Sequence, residues 1–271
     1  MYTQRSKYWP AYTWEIQKSY SSVISKNISG DFVVPEENFR EAYFNIFNKI
    51  NASFYHLECL KENEEIAIQI GKEVSKIEMP GMEGMIGIVG SPYEPINYEY
   101  EACLITIKSA LDFMAMLLSE GFNRSEDNIV SLINSVQQLE NIDVSTLKGK
   151  IYTLLRDPKT ISFIENYKNS GNQKSKRNFA AHKGSLPVGT INIPINNPNA
   201  KILPSKALDP NNPDPFSSIR ESQNLIEYCE DQFYQLCDFF IEILSLISNN
   251  KFEHGQKSSV YQQRVDNRTK D

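Results

Sequence analysis

From Glu99 to Gly121 the chain carries Ala102, Cys103, Leu104, Ile105, Ile107, Ala110, Leu111, Phe113, Met114, Met116, Leu117 and Leu118, with few charges between them. A helix that is apolar on nearly every side is stable only when other elements enclose it, so this stretch predicts a central helix with a bundle around it. Its charges are then informative. Glu101, Lys108 and Asp112 fall within about 40° of one another on a helical wheel, which leaves one narrow polar seam. Either the seam meets solvent as a Lys108 to Asp112 ion pair, or it lines a cleft beside the basic helix end described below.

Long partners for such a helix are visible on both sides. Pro35-Glu36-Glu37 opens a helix with acids in its first turn. Phe39, Tyr43, Phe47, Ile50, Phe54, Leu57 and Leu60 then recur at steps of three and four, predicting an amphipathic helix to about Lys61 or, with a bend, to Ile77. No repeats appear and no coiled-coil heptad is expected to persist. His56, between Tyr55 and Leu57, is expected to be a satisfied flank histidine. Ser217 and Ser218 are placed to cap a last long helix to about Ser248, with Ile219, Leu225, Ile226, Cys229, Phe233, Leu236, Phe240, Ile243, Leu244 and Ile247 inward. Shorter helices are expected at about 126–139 and 144–155, divided by Asn141 and Asp143, and another after Asp157-Pro158. Ser170-Gly171-Asn172 predicts a break and hinge before the chain restarts as a helix.

Two stretches have a β texture. Gly81, Gly84, Gly87 and Gly90 surround Met85-Ile86-Gly87-Ile88-Val89 without the Gly-Lys-Ser/Thr of a phosphate loop, so a short strand bounded by turns is the better account. Residues 186–204 alternate around an Asn/Pro turn and predict a β-hairpin, paired with the first strand into a small sheet. Pro204 to Pro215 looks like a polar loop unable to pack alone. The expected class is all-α: a bundle of about five to six helices with a small β insertion. The division is an aromatic-rich arm at 1–34, a helical domain at 35–249 with β-like insertions near 84–92 and 186–204, and a polar tail at 250–271.

The formal charge of −6 argues against nucleic-acid binding over the whole surface, so any such binding needs a local basic site. Cys59, Cys103, Cys229 and Cys237 are widely spaced with no C-x-x-C pair, as expected of free thiols in a reducing cytoplasm. No signal-like N-terminus and no long uninterrupted apolar run are present, so a soluble, cytoplasmic protein with no membrane contact is expected.

The local basic site is Lys174-Ser175-Lys176-Arg177-Asn178-Phe179-Ala180-Ala181-His182-Lys183-Gly184. It reads as the last turns of a helix closed by Gly184. Arg177 can grip a phosphate bidentately and His182 can exchange a proton near neutral pH. Five helical residues separate them by about 140°, so the arginine has to curl round to share a pocket, whereas Asn178 lies on the stripe of His182.

Arg-Asn, three residues, then His, with a basic lead-in, resembles the motif of the HEPN superfamily. The resemblance covers roughly residues 99–186, with the long flanking helices as further partners. It implies a helical bundle, commonly dimeric, and metal-independent endoribonuclease activity with no cofactor. In the implied reaction the RNA 2′-hydroxyl attacks the adjacent phosphate, leaving a cyclic phosphate and a 5′-hydroxyl. His182 would move the proton, Arg177 would stabilise the phosphoryl oxygens and Asn178 would orient His182 or the phosphate. Lys174, Lys176 and Lys183 would line a groove for RNA, with tRNA among the candidate substrates, and Glu101, Lys108 and Asp112 would support the site. One histidine does not readily serve both proton transfers, which suggests a homodimer with a composite site. The resemblance also suggests a toxin-antitoxin or antiphage defence setting with an antitoxin or sensor partner. Gly184 stands where one toxin branch has a tyrosine, which separates this chain from that branch. The alternative is a catalytically inactive HEPN-like bundle used for interaction or sensing.

Overall fold

The structure is a computed structural model and describes residues 32–77, 80–81, 84–87, 94–169, 175–182, 186, 188–189, 192–196, 202–212 and 222–248. Most of the arm at 1–34 and the tail at 250–271 therefore lie outside the described residues, as do Ser217, Ser218 and Ile219. The elements run α1 (Glu36–Val74), β1 (Met85–Gly87), α2 (Glu94–Gly121), α3 (Ile129–Gln137), α4 (Leu147–Leu155), α5 (Pro158–Glu165), α6 (Lys176–His182), β2 (Val188–Gly189), β3 (Asn192–Pro194), β4 (Lys206–Ala207) and α7 (Leu225–Ser248). The class is all-α, with two small antiparallel sheets.

The expected central helix is α2, starting at Glu94 and packed against both other long helices. By length and composition it could cross a membrane, yet most of its apolar surface is buried inside the bundle. It runs antiparallel to α1. Asn38 donates to Glu120 at 2.9 Å near one end, Ser53 to Thr106 at 3.0 Å midway, and His56 Nδ1 lies 2.7 Å from Glu99 Oε2 near the other. The α7 helix is antiparallel to α1 as well, with Tyr43 against Phe240, Phe54 against Phe233, and Lys61 paired to Glu230 at 3.0 Å.

Of the two ends expected for α1, the longer one holds: it continues as one helix to Val74, close to Ile77, rather than ending near Lys61. One expectation about α1 is corrected. A heptad does persist: the buried positions are Phe39, Tyr43, Ile46, Ile50, Ser53, Leu57, Leu60, Glu64, Ala67 and Gly71, alternating steps of four and three. The matching seam on α2 is Ile96, Tyr100, Cys103, Ile107, Ala110, Met114, Leu117 and Gly121. Ser53, Glu64 and Gly71 disguise the repeat because they are not apolar. Phe47 and Phe54, which the apolar count included, are only partly buried.

The end of the N-terminal arm packs onto the bundle. Phe32 and Val34 are buried core residues, and Phe32 meets Phe122 edge-on at 5.7 Å. Gly121 permits this approach, since a Cβ there would come within 2.2 Å of the Phe32 ring.

Short helices α3, α4 and α5 close the far side, each with a side-chain cap. Asn128 accepts from Ser131 N–H, Thr146 from Gly149 N–H, and Asp157 from Lys159 and Thr160 N–H, with Pro158 in the first turn. Asn141 divides α3 from α4 as expected, with a positive φ of 58°.

The β elements share one hairpin register. Val188 faces Ala207, Gly189 faces Lys206, and Asn192 and Leu203 exchange backbone hydrogen bonds. The other edge of β3 pairs with β1, as the two β textures predicted. Gly81 and Gly84, both at positive φ, serve the turn leading into β1. The segment from Pro204, expected to be too polar to pack alone, packs through partners on other elements over its described start: Ser205, Ala207 and Leu208 are buried. Ser205 N–H donates to the buried Glu64 carboxylate at 2.9 Å, and Ser205 O accepts from Leu225 N–H at 3.0 Å. This segment thereby ties α1 to the start of α7.

Candidate active site

The basic segment folds as the short helix α6, packed against α2. Ser175 caps it, its Oγ accepting from Asn178 N–H at 3.2 Å. Ser175 and Asn178 have capping-box spacing, but Asn is shorter than the usual Glu or Gln and does not reach back to Ser175 N–H. Asn169 fills that role from the other side of the connection 170–174. Its Oδ1 accepts from Ser175 N–H at 3.2 Å and from Asn178 Nδ2 at 3.0 Å.

Arg177 turns to the residue that follows it. Its Nη1 donates to Asn178 Oδ1 at 2.7 Å, whereas its Nε is buried without a hydrogen-bond partner. Among the described residues Asn178 is the single partner of the guanidinium. A charged N–H left dry and unpaired costs on the order of 1–3 kcal/mol, so this group is primed to gain by meeting an anion. His182 is the last residue of α6, and Lys174 and Lys183 lie outside the described residues.

Lys176 turns inward. Its Nζ donates to Ala207 O at 3.3 Å and sits 4.1 Å from the centre of the Tyr228 ring. Burial brings this lysine down from 10.5 to about 8, with the Cys229 thiol and Asp209 acting the other way. The base beneath it is a layer of buried phenols and thiols. Tyr100 meets Tyr228 edge-on at 6.2 Å, and the Tyr100 and Tyr167 hydroxyls are buried without partners. Burial pushes all three tyrosines upward, and it does the same to the Cys229 thiol, which contacts Cys103. All four cysteines are free thiols.

The polar seam of α2 does not face a single environment. Glu101 Oε1 accepts from Leu186 N–H at 2.7 Å, fixing the chain four residues beyond His182. Burial raises the Glu101 carboxyl, opposed by the Leu186 hydrogen bond. Lys108 and Asp112 lie about 10 and 16 Å further along the axis. They form an ion pair, with the Lys108 side chain 8% exposed, and Asp112 also accepts from Ile129 N–H at the start of α3. Of the three seam residues, Glu101 is the one next to the exit from the motif helix.

Among the described residues no three His, Cys, Asp or Glu side chains cluster as metal ligands would. A groove of about 720 Å³ lined by Lys150, Asp157, Lys159 and Glu242 lies between α4, the start of α5 and α7, away from the motif residues. Asn169 and Tyr228 were missed in the sequence. Asn169 sits outside the helix it serves, and Tyr228 is distant in the chain, so neither carries a local signal. Comparison with known proteins finds no family model, no curated relative and no solved structure that matches the chain.

Proposed function

We propose that this chain is a HEPN-like endoribonuclease that cleaves RNA by attack of its own 2′-hydroxyl, tRNA being among the candidate substrates. The observation that carries this is the Arg177 guanidinium, held at one end by Asn178 and unpartnered at Nε, five residues before a histidine that ends the same helix. Arg177 grips the phosphoryl oxygens, His182 transfers the proton, and Asn178 orients the arginine. Glu101 holds the segment leaving the motif helix. Its raised carboxyl suits a group that exchanges a proton near the site. Lys174 and Lys183 complete the RNA-binding surface. The second proton transfer is assigned to another copy of the chain in a homodimer. A cytoplasmic toxin-antitoxin or defence setting, with a neutralising or activating partner, belongs to the same proposal through the motif resemblance.

A catalytically inactive interaction or sensing bundle is the second reading. It is favoured by Lys176, whose ammonium is committed to Ala207 and Tyr228 instead of to a groove.

The test incubates wild type, Arg177→Ala and His182→Ala with total tRNA in EDTA, with circular dichroism to verify the helices. Cleavage leaving cyclic phosphate and 5′-hydroxyl ends in wild type, lost in both variants, is the expected result. Activity that survives His182→Ala overturns the mechanism, and none in wild type favours the inactive bundle.

A further inference from the structure

The amides of Asn169, Asn178 and the guanidinium of Arg177 form a relay. Asn178 gives its Nδ2 hydrogen to Asn169 Oδ1 at 3.0 Å and takes the Arg177 Nη1 hydrogen on its own Oδ1 at 2.7 Å. With both ends engaged, the amide plane of Asn178 cannot turn over without losing both bonds. Asn169 is itself anchored. It follows Tyr167, which is buried in the core and meets Phe163 edge-on at 5.7 Å, and the turn between them is closed by Tyr167 N–H to Ile164 O at 2.9 Å. The arginine is thus referenced to the bundle core through a residue outside its own helix. A partly buried side chain with several rotatable bonds needs such a reference if it is to meet a phosphate in one geometry.

We propose that Asn169 is a positioning residue for Arg177, acting through Asn178, and that it thereby sets the phosphate-binding geometry of the motif. The inference rests on the nuclease reading for its kinetic consequence but not for its structural one. Asn169 also receives Ser175 N–H at the head of α6, so a purely structural role has to be separated. Ser175→Ala does this, because it removes the Oγ cap on Asn178 N–H and leaves the amide relay in place.

Two measurements are made on the full chain. The first is tRNA cleavage by wild type, Asn169→Ala, Asn169→Asp and Ser175→Ala. The second is the Arg177 Nε–H resonance in a nitrogen-15 spectrum, assigned by its disappearance in Arg177→Lys. Asn169→Ala is expected to lower kcat roughly tenfold or more with KM little changed, and to shift the Nε resonance. Asn169→Asp keeps the acceptor and restores both, whereas Ser175→Ala leaves both near wild type. If wild type cleaves no RNA, the nuclease reading fails alone, and the resonance still decides the positioning. An Nε resonance unmoved by Asn169→Ala, or equal loss of rate in Asn169→Ala and Ser175→Ala, overturns the proposal.

Discussion

Glu101 on the central helix and Leu186, four residues past His182, are joined by a hydrogen bond of 2.7 Å from the Leu186 N–H to the Glu101 carboxylate. The contact spans 85 positions of sequence and closes the motif segment against the core. The burial of the Glu101 carboxyl at this contact gives the fold a pH dependence.

Burial raises the Glu101 carboxyl above its ordinary 4.5. In the window just above that value the folded chain holds a proton that the unfolded chain has released, so this group's contribution to stability falls as pH rises through the window. Glu101→Gln is expected to flatten that part of the profile. Urea unfolding of wild type and variant, at intervals from pH 4 upward, measures it; parallel profiles would contradict the assignment.

Lys176 acts in the alkaline range. Its folded value of about 8 lies below the ordinary 10.5, so between these values the unfolded chain binds more protons and stability rises with pH. Holding the charged lysine at neutral pH costs about 3 kcal/mol, of which the Tyr228 ring returns about 1 kcal/mol. Lys176→Met is therefore expected to stabilise the chain at pH 7 by roughly 1–2 kcal/mol and to remove the rise toward pH 10. Urea midpoints at pH 7 and pH 9.5 test both effects.

The Glu64 carboxylate accepts from Ser205 N–H across the bundle, and both residues are buried. Glu64→Ala leaves that N–H dry and is expected to cost about 1–3 kcal/mol. Glu64→Gln keeps an acceptor and should cost less. Equal unfolding free energies for the two variants would show that the hydrogen bond contributes nothing.

The legible parts of the fold were those where one local pattern decides. The apolar run of α2 demanded enclosure, and the three- and four-residue steps of α1 and α7 named them as its neighbours. Turn chemistry at Asn141 and around β1 was equally readable. The heptad of α1 was not, because Ser53 and Glu64 occupy seam positions through partners on other elements and Gly71 has no side chain to mark its place. The segment after Pro204 looked too polar to pack alone, but its partners, Glu64 and Leu225, carry no local signal.

The same division holds at the candidate site. Residue order alone determined that Arg177, Asn178 and His182 share one short basic helix, since spacing along a helix is a local property. Tertiary structure decided which of their neighbours point where. It turned Lys176 over the Tyr228 ring, brought Glu101 to Leu186, sent Lys108 and Asp112 to the start of α3, and linked Asn169 to Arg177 through Asn178. Those outcomes depend on desolvation and on hydrogen-bond partners distant in the chain, quantities that exist only once the helices have packed.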